Sequence, residues 1–281
     1  MAPRHNSAPG AKRRASPDGM HPRAPMAAPE VTLSEEGGVR YLHFGTPWVQ
    51  GAMRIRQPYA LELEYQQHMM AVGACLPEPQ DILILGMGAG ALAKFCWQQC
   101  PSALVRVVEY FPEVVRVAQA CFALPQDARM RILIQDALTY LDPDMGCAPA
   151  DWLLVDLYDG EARGPVYDDE RFYARCRGVL RSPGVAAFNL FGGHFRSSWQ
   201  KIAAAFSGAA IALPATDAGN RIVLAYEGDI DWMDASMDTH ARQLGLRWGL
   251  PMHTWVARRQ HAQAALQRRT SAKKRTDEIA V

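Results

Sequence analysis

The stretch Asp81-Ile-Leu-Ile-Leu-Gly-Met-Gly-Ala-Gly90 decides the fold. Ile82 to Leu85 is a short apolar run without alternation, the pattern of a parallel strand buried on both faces. Gly86, Gly88 and Gly90 then permit a tight turn and a close backbone approach to a ligand. Ala91 to Trp97 reads as a helix, whose first N–H groups have no partners within the helix. A strand, a glycine turn and a helix also occur for packing alone, so neighbouring segments must decide between the two readings.

Downstream, strand-like and helix-like segments alternate. Leu104 to Tyr110, Met130 to Gln135, Asp151 to Leu157 and Gly184 to Phe191 read as strands. Pro112 to Cys121, Asp168 to Arg181 and His194 to Ser207 read as helices. Ala209 to Pro214 and Arg221 to Tyr226 read as a closing hairpin. The expected fold is α/β: a Rossmann-like, mostly parallel sheet of the S-adenosylmethionine-methyltransferase type with an antiparallel closing hairpin. Upstream, Val31 to Gln50 reads as strands around a Glu35-Glu36-Gly37-Gly38 turn, and Pro58 to Cys75 as one helix. Four regions follow: a disordered basic tail over 1–30, a β-rich segment and helix over 31–76, a nucleoside-binding domain over 77–228, and C-terminal helices with a basic tail over 229–281.

Composition narrows the class. The chain has 281 residues, is 49% hydrophobic and carries a net charge of +1, so no global field favours nucleic acid or a membrane surface. Basic residues gather only at the ends, where solvated tails are the simplest reading. No apolar run is long enough for a membrane span and no signal core opens the chain, so a cytoplasmic protein is expected. The six cysteines lie among apolar residues without a CxxC pair, which reads as free thiols rather than a metal site.

In such sheets ligands bind at the carboxyl ends of the strands. Those ends carry the glycines, then Glu109, then Asp136 with Ala137 beside it, then Asp156 and Asp159. Each acid has a plain alternative as a helix cap or turn residue. Glu109 follows the glycines by roughly 20 residues, the spacing at which an acid meets both ribose hydroxyls of a nucleoside. Asp136 is placed to meet an adenine amino group. The glycine run has no P-loop lysine, so a nucleoside without phosphates, such as S-adenosylmethionine, fits better than ATP or NAD.

Asp156-Leu-Tyr-Asp-Gly-Glu-Ala-Arg-Gly-Pro165, followed by Val166-Tyr167 and Glu170-Arg-Phe-Tyr173, resembles the spermidine synthase (polyamine aminopropyltransferase) family. The likeness runs from about Gln50 to Gly192. It implies transfer of an aminopropyl group from decarboxylated S-adenosylmethionine to a small amine such as putrescine, with no tightly bound cofactor and commonly a homodimer. Asp159 would be the base that takes the amine's proton, and Asp156 would help hold the cationic partners. Gln50, grouped with the donor site, and Tyr65 would line the amine channel, with Tyr158 as a further substrate contact. The chain departs from the family pattern at three places. Ala89 replaces a loop Asp, Gln66-Gln67 replaces His-Glu, and Leu61-Glu62 replaces Asp-Glu. These departures keep two alternatives open: an S-adenosylmethionine-dependent methyltransferase, and a non-catalytic nucleoside-binding relative. His194 reads as a helix-start residue, Trp152, Trp199, Trp232 and Trp248 as core or subunit contacts, and Trp48 as a lid residue.

Overall fold

A computed structural model describes residues 28–159, 164–230 and 235–255. The expected basic tails, Trp232 and the Gly160–Arg163 part of the Asp-rich motif lie outside the described residues.

Among the described residues three strands come first: β1 (Val31–Glu36), β2 (Val39–Phe44) and β3 (Gly51–Arg54) form an antiparallel sheet in that order. Two short helices follow, α1 (Glu64–Met69) and α2 (Val72–Cys75). The single helix expected over Pro58 to Cys75 is thus divided and starts late. Side chains hold the segment before Glu64 in another shape: Glu62 pairs with Arg54, and Gln67 Nε2 donates to the Leu61 carbonyl at 2.9 Å. Gly73, a poor helix former, sits where a Cβ would meet the Trp248 ring at 2.5 Å.

The main sheet is built from β4 (Asp81–Leu85), β5 (Leu104–Glu109), β6 (Met130–Ile134), β7 (Ala150–Val155), β8 (Leu180–Leu190), β9 (Ala210–Ala212) and β10 (Arg221–Glu227). Their spatial order is β6-β5-β4-β7-β8-β10-β9. The pairs among β4 to β8 are parallel, and β10 runs antiparallel to both β8 and β9. The expected fold class is therefore observed. The order reverses at β4, so its carboxyl end is the switch point where a crevice opens. Helices α3 (Ala91–Gln99), α4 (Pro112–Cys121), α5 (Ala137–Tyr140), α6 (Glu170–Gly178), α7 (Phe195–Ala205) and α8 (Ala235–Trp248) cover the faces. The apolar run Ile82 to Leu85 is buried on both sides, split between the two main core clusters.

Charged groups at the amino ends of the strands serve structure. Arg181 pairs with Asp81 at 2.8 Å and Asp151 at 3.0 Å, and Asp151 also accepts the N–H groups of Gln80 and Asp81. The Phe-Tyr pair of the motif is likewise structural. Phe172 and Tyr173 are fully buried, and the Tyr173 hydroxyl donates to Asp168, which also holds Lys201. The helix bearing them begins at Glu170, not Asp168, because the Asp169 carboxylate caps it by accepting the Phe172 N–H at 2.8 Å.

Lys94 on α3 is fully buried, and its Nζ donates to the Phe122 carbonyl at 2.7 Å. Burial pushes its pKa down to about 8. The unfolded chain therefore binds this proton more tightly than the native state between about pH 8 and the usual lysine value. Stability is expected to rise with pH across that window, by about 3 kcal/mol for the full shift. Lys94→Met should remove that rise when the two proteins are compared by urea denaturation at pH 7.5 and 10.

Candidate active site

The carboxyl ends of the strands open into a cavity of about 410 Å³. Its walls come from the strand ends, from the segment before β3, from α1 and from the loop between β9 and β10. Gly86 and Gly88 shape it in a way beyond ligand approach. A Cβ on Gly86 would stand 2.1 Å from the Asp156 carbonyl oxygen, and one on Gly88 would stand 2.6 Å from that of Gln50. Both have positive φ, +91° and +50°. Glycine here lets two backbones that carry site residues press against the turn. Gly90 starts α3 against Leu124 and does not line the cavity.

Glu109 ends β5 and lines the cavity while only 8% exposed. One carboxylate oxygen accepts the Met87 N–H at 3.0 Å and the other the Phe111 N–H at 2.8 Å. Burial raises its pKa, and these backbone donors partly oppose the rise. Lone pairs remain on both oxygens for further donors. Asp136 caps α5 through the Thr139 N–H at 2.8 Å and also accepts from the Tyr167 hydroxyl. The plain alternative, helix cap, is thus part of what Asp136 does, although it and Ala137 also line the cavity.

Asp156 follows β7 at the other half of the cavity. Its carboxylate accepts the Tyr65 hydroxyl at 3.0 Å and the Asn189 Nδ2 at 2.9 Å. Burial raises its pKa, with the hydrogen bonds from Asn189 and Tyr65 acting against the rise. Burial first, then the Asp156 charge, keeps the Tyr65 hydroxyl protonated. Tyr158 donates to the Asn189 carbonyl at 2.9 Å, and Asn220 donates to the Asn189 Oδ1 at 3.0 Å. Asn189 is a site residue absent from the sequence-based expectations. The signal was there: an amide closing the apolar strand Val185-Ala-Ala-Phe-Asn189.

The cavity thus brings together Gln50, Tyr65, Gly86, Gly88, Glu109, Asp136, Ala137, Asp156 and Tyr158. It leaves out Asp159, whose carbonyl oxygen accepts from the Gln50 side chain at 3.1 Å. Trp48 stands in the wall at 56% exposure. His194 is exposed, at the start of α7, and does not line it. Trp152 is core, with its Nε1 donating to the Leu76 carbonyl. None of the six cysteines is in a disulfide, and the described residues include no group of three side chains arranged to hold a metal ion. Four carboxylates and no Lys, Arg or His line the cavity among the described residues.

Three of the departing positions face elsewhere. Ala89 is 2% exposed in an apolar cluster with Leu42, Met53 and Phe122, directly against Gly51. Glu62 turns to Arg54, and Gln67 to the Leu61 carbonyl. Returning a carboxylate at the loop therefore does not restore a ligand contact. Ala89→Asp is expected to lower stability by about 3 kcal/mol or more, because it buries a charge without a partner. Urea denaturation of the two proteins checks this.

No protein-family model matches the chain. It is 32% identical over 238 residues to a polyamine aminopropyltransferase of Chromobacterium violaceum, spanning 83% of this chain and 90% of that protein. The chain belongs to the polyamine aminopropyltransferase family. A solved structure of a probable spermidine synthase from Corynebacterium glutamicum superposes with a TM-score of 0.65 at 20% identity, covering 85% of this chain and 94% of that one. Human methyltransferase-like protein 13, solved in complex with SAH, superposes with a TM-score of 0.57 at 20% identity over 66% of this chain and 92% of that one. At these identities the two structures establish the shared fold, which aminopropyltransferases hold in common with methyltransferases. Among the described residues, no helix is long and apolar enough to cross a membrane.

Proposed function

We propose that the cavity binds decarboxylated S-adenosylmethionine and transfers its aminopropyl group to a small amine. The observation that carries this is the pairing of Glu109 and Asp156 in one cavity with no cationic side chain among its described walls. Glu109 takes the ribose hydroxyls, and Asp136 with Ala137 takes the adenine edge. The amine sits against Tyr65 and Asp156. Both reactants are cationic, and an acidic cavity offsets the cost of removing them from water.

The reaction is a direct displacement. The amine lone pair attacks the carbon beside the sulfonium, a carbon–nitrogen bond forms, and the carbon–sulfur bond breaks. The electron pair of that bond returns to sulfur, so methylthioadenosine leaves as a neutral thioether and requires no acid. The proton lost by the amine passes to a carboxylate. We assign that base to Asp156 rather than Asp159, because Asp156 borders the cavity and burial raises its proton affinity. Asn189 and Tyr65 hold it in place, which aligns the amine for attack. The donor is a co-substrate consumed at each turnover, not a resident cofactor. We place the protein in the cytoplasm as a homodimer, the dimer being checked by analytical ultracentrifugation.

The shared fold makes methyl transfer the reading to separate. A donor that keeps its carboxylate would bring that charge into an acidic cavity without a cation among the described residues. Incubation with either donor and 1,4-diaminobutane distinguishes the two. Release of methylthioadenosine supports aminopropyl transfer. S-adenosylhomocysteine as the only product supports methyl transfer, and nucleoside binding without either product supports a silent relative.

A further inference from the structure

We infer that Asn220 is a positioning residue of the active site: through Asn189 it fixes which way two side-chain amides point, so that Asp156 meets N–H and O–H donors and no acceptor. The effect on turnover rests on the reading that Asp156 takes the amine's proton.

The loop between β9 and β10 places Asn220. The hydroxyl of Thr216, a residue only 5% exposed, accepts the Asn220 N–H at 2.9 Å, and the Thr216 N–H donates to the Asn220 carbonyl at 2.9 Å. The Gly219 N–H donates to the Thr216 carbonyl. Glu64, a wall residue at the start of α1, braces the loop from outside by accepting the Asp217 N–H at 2.8 Å. Pairing of Ile222 with Asn189 sets Asn220 beside the end of β8. From there its Nδ2 donates to the Asn189 Oδ1 at 3.0 Å, and the Asn189 Nδ2 donates to Asp156 at 2.9 Å.

The direction of this chain of amides is set at its far end. An ionised carboxylate only accepts, so Asn189 turns its NH2 to Asp156 and its oxygen to Asn220, which must offer its own NH2. The constraint also runs the other way. While Asn220 donates, turning Asn189 round would bring two NH2 groups together. The Asn189 oxygen is therefore withheld from Asp156, and a protonated Asp156 would need it as an acceptor for its O–H. On the other carboxylate oxygen the Tyr65 hydroxyl donates, and that hydroxyl already accepts from the Gln66 amide at 3.2 Å. Both neighbours thus favour the ionised form, the one able to take a proton, against the burial that disfavours it. The other ionisable groups of the cavity walls, Glu64, Glu109, Asp136, Tyr110, Tyr158 and Tyr167, stay as they are when Asn220 is changed.

The experiment follows methylthioadenosine release across pH, at saturating donor and 1,4-diaminobutane, in wild type, Asn220→Leu and Asn220→Asp. Leucine removes the donor and frees Asn189 to turn. Aspartate keeps the shape, can only accept, and turns Asn189 round. In both variants the acid limb of kcat is expected to move to higher pH by about one unit or more. The leucine variant adds no charge, so its shift reports the amide and not a new field. A lower kcat with the limb unmoved in both variants makes Asn220 a merely structural residue and overturns the inference. Urea denaturation gives a readout that needs no turnover. Raised proton affinity at Asp156 makes stability fall with rising pH until that proton has left the folded protein. The fall should continue about one pH unit further in Asn220→Leu than in wild type, and an added Asp156→Asn should abolish that difference. A wild type that releases no methylthioadenosine overturns the aminopropyl-transfer reading, and the urea comparison then decides the amide chain by itself.

Discussion

Asp156→Asn is expected to lower turnover by about 10²–10⁴-fold while methylthioadenosine binds within about threefold of wild type. The asparagine keeps the shape and one acceptor for Tyr65 or Asn189, and loses the group that takes the amine's proton. The pH dependence of stability separates this from simple damage. Burial raises the Asp156 pKa in the native state. The native protein therefore holds that proton more tightly than the unfolded chain. Its stability declines as pH rises from the unfolded value through the folded one. The variant has no such decline, so the stability difference between the two proteins should shift in its favour as pH rises above the ordinary aspartate value of about 4. Stopped assays and urea denaturation across that range supply both readouts. Retained turnover in Asp156→Asn would sink the assignment of the base and return the role to Asp159.

Glu109→Gln is expected to weaken methylthioadenosine binding by about 10²–10⁴-fold, the loss of two charge-assisted hydrogen bonds at about 1.5–3 kcal/mol each. Two effects add in the same direction. The ribose hydroxyls lose an anionic acceptor. The amide also turns a donor toward either the Met87 or the Phe111 N–H, each of which now meets a carboxylate oxygen. Because burial raises the Glu109 pKa, wild-type affinity should fall as pH drops through that raised value, and the variant should show no such fall. Titration calorimetry at several pH values tests both points. Binding within about threefold of wild type would remove Glu109 from the nucleoside site.

The parts of this site that were legible in the sequence share one property: they sit at the ends of strands with unmistakable patterning. Ile82 to Leu85 is apolar without alternation, so its carboxyl end, and with it Gly86 and Gly88, can be placed from the sequence. Glu109, Asp136 and Asp156 follow from the same logic, since each closes an apolar run. Tyr65 and Gln50 came from family likeness, not from any periodicity. No periodic pattern in the sequence singles out Glu64 or Asn189. Their neighbours in the chain say nothing about the cavity, because Asn189 near the end of β8 and Glu64 at a helix start that side-chain pairing shifts are both held by the loop between β9 and β10, through Asn220 and Asp217.

Local order and composition alone determined that this chain forms a parallel sheet with an acid-rich carboxyl edge, because period and glycine placement act over a few residues. Tertiary structure alone decided which acids share a cavity and which do not. Asp159, three residues from Asp156, stays out of the wall, and Ala89, inside the glycine turn, faces an apolar cluster. Whether a side chain meets a ligand or a neighbour depends on backbones far apart in sequence, such as those of Gln50 and Asp156 pressed against the glycines. Such close packing arises from the whole fold, and no short window of sequence contains it.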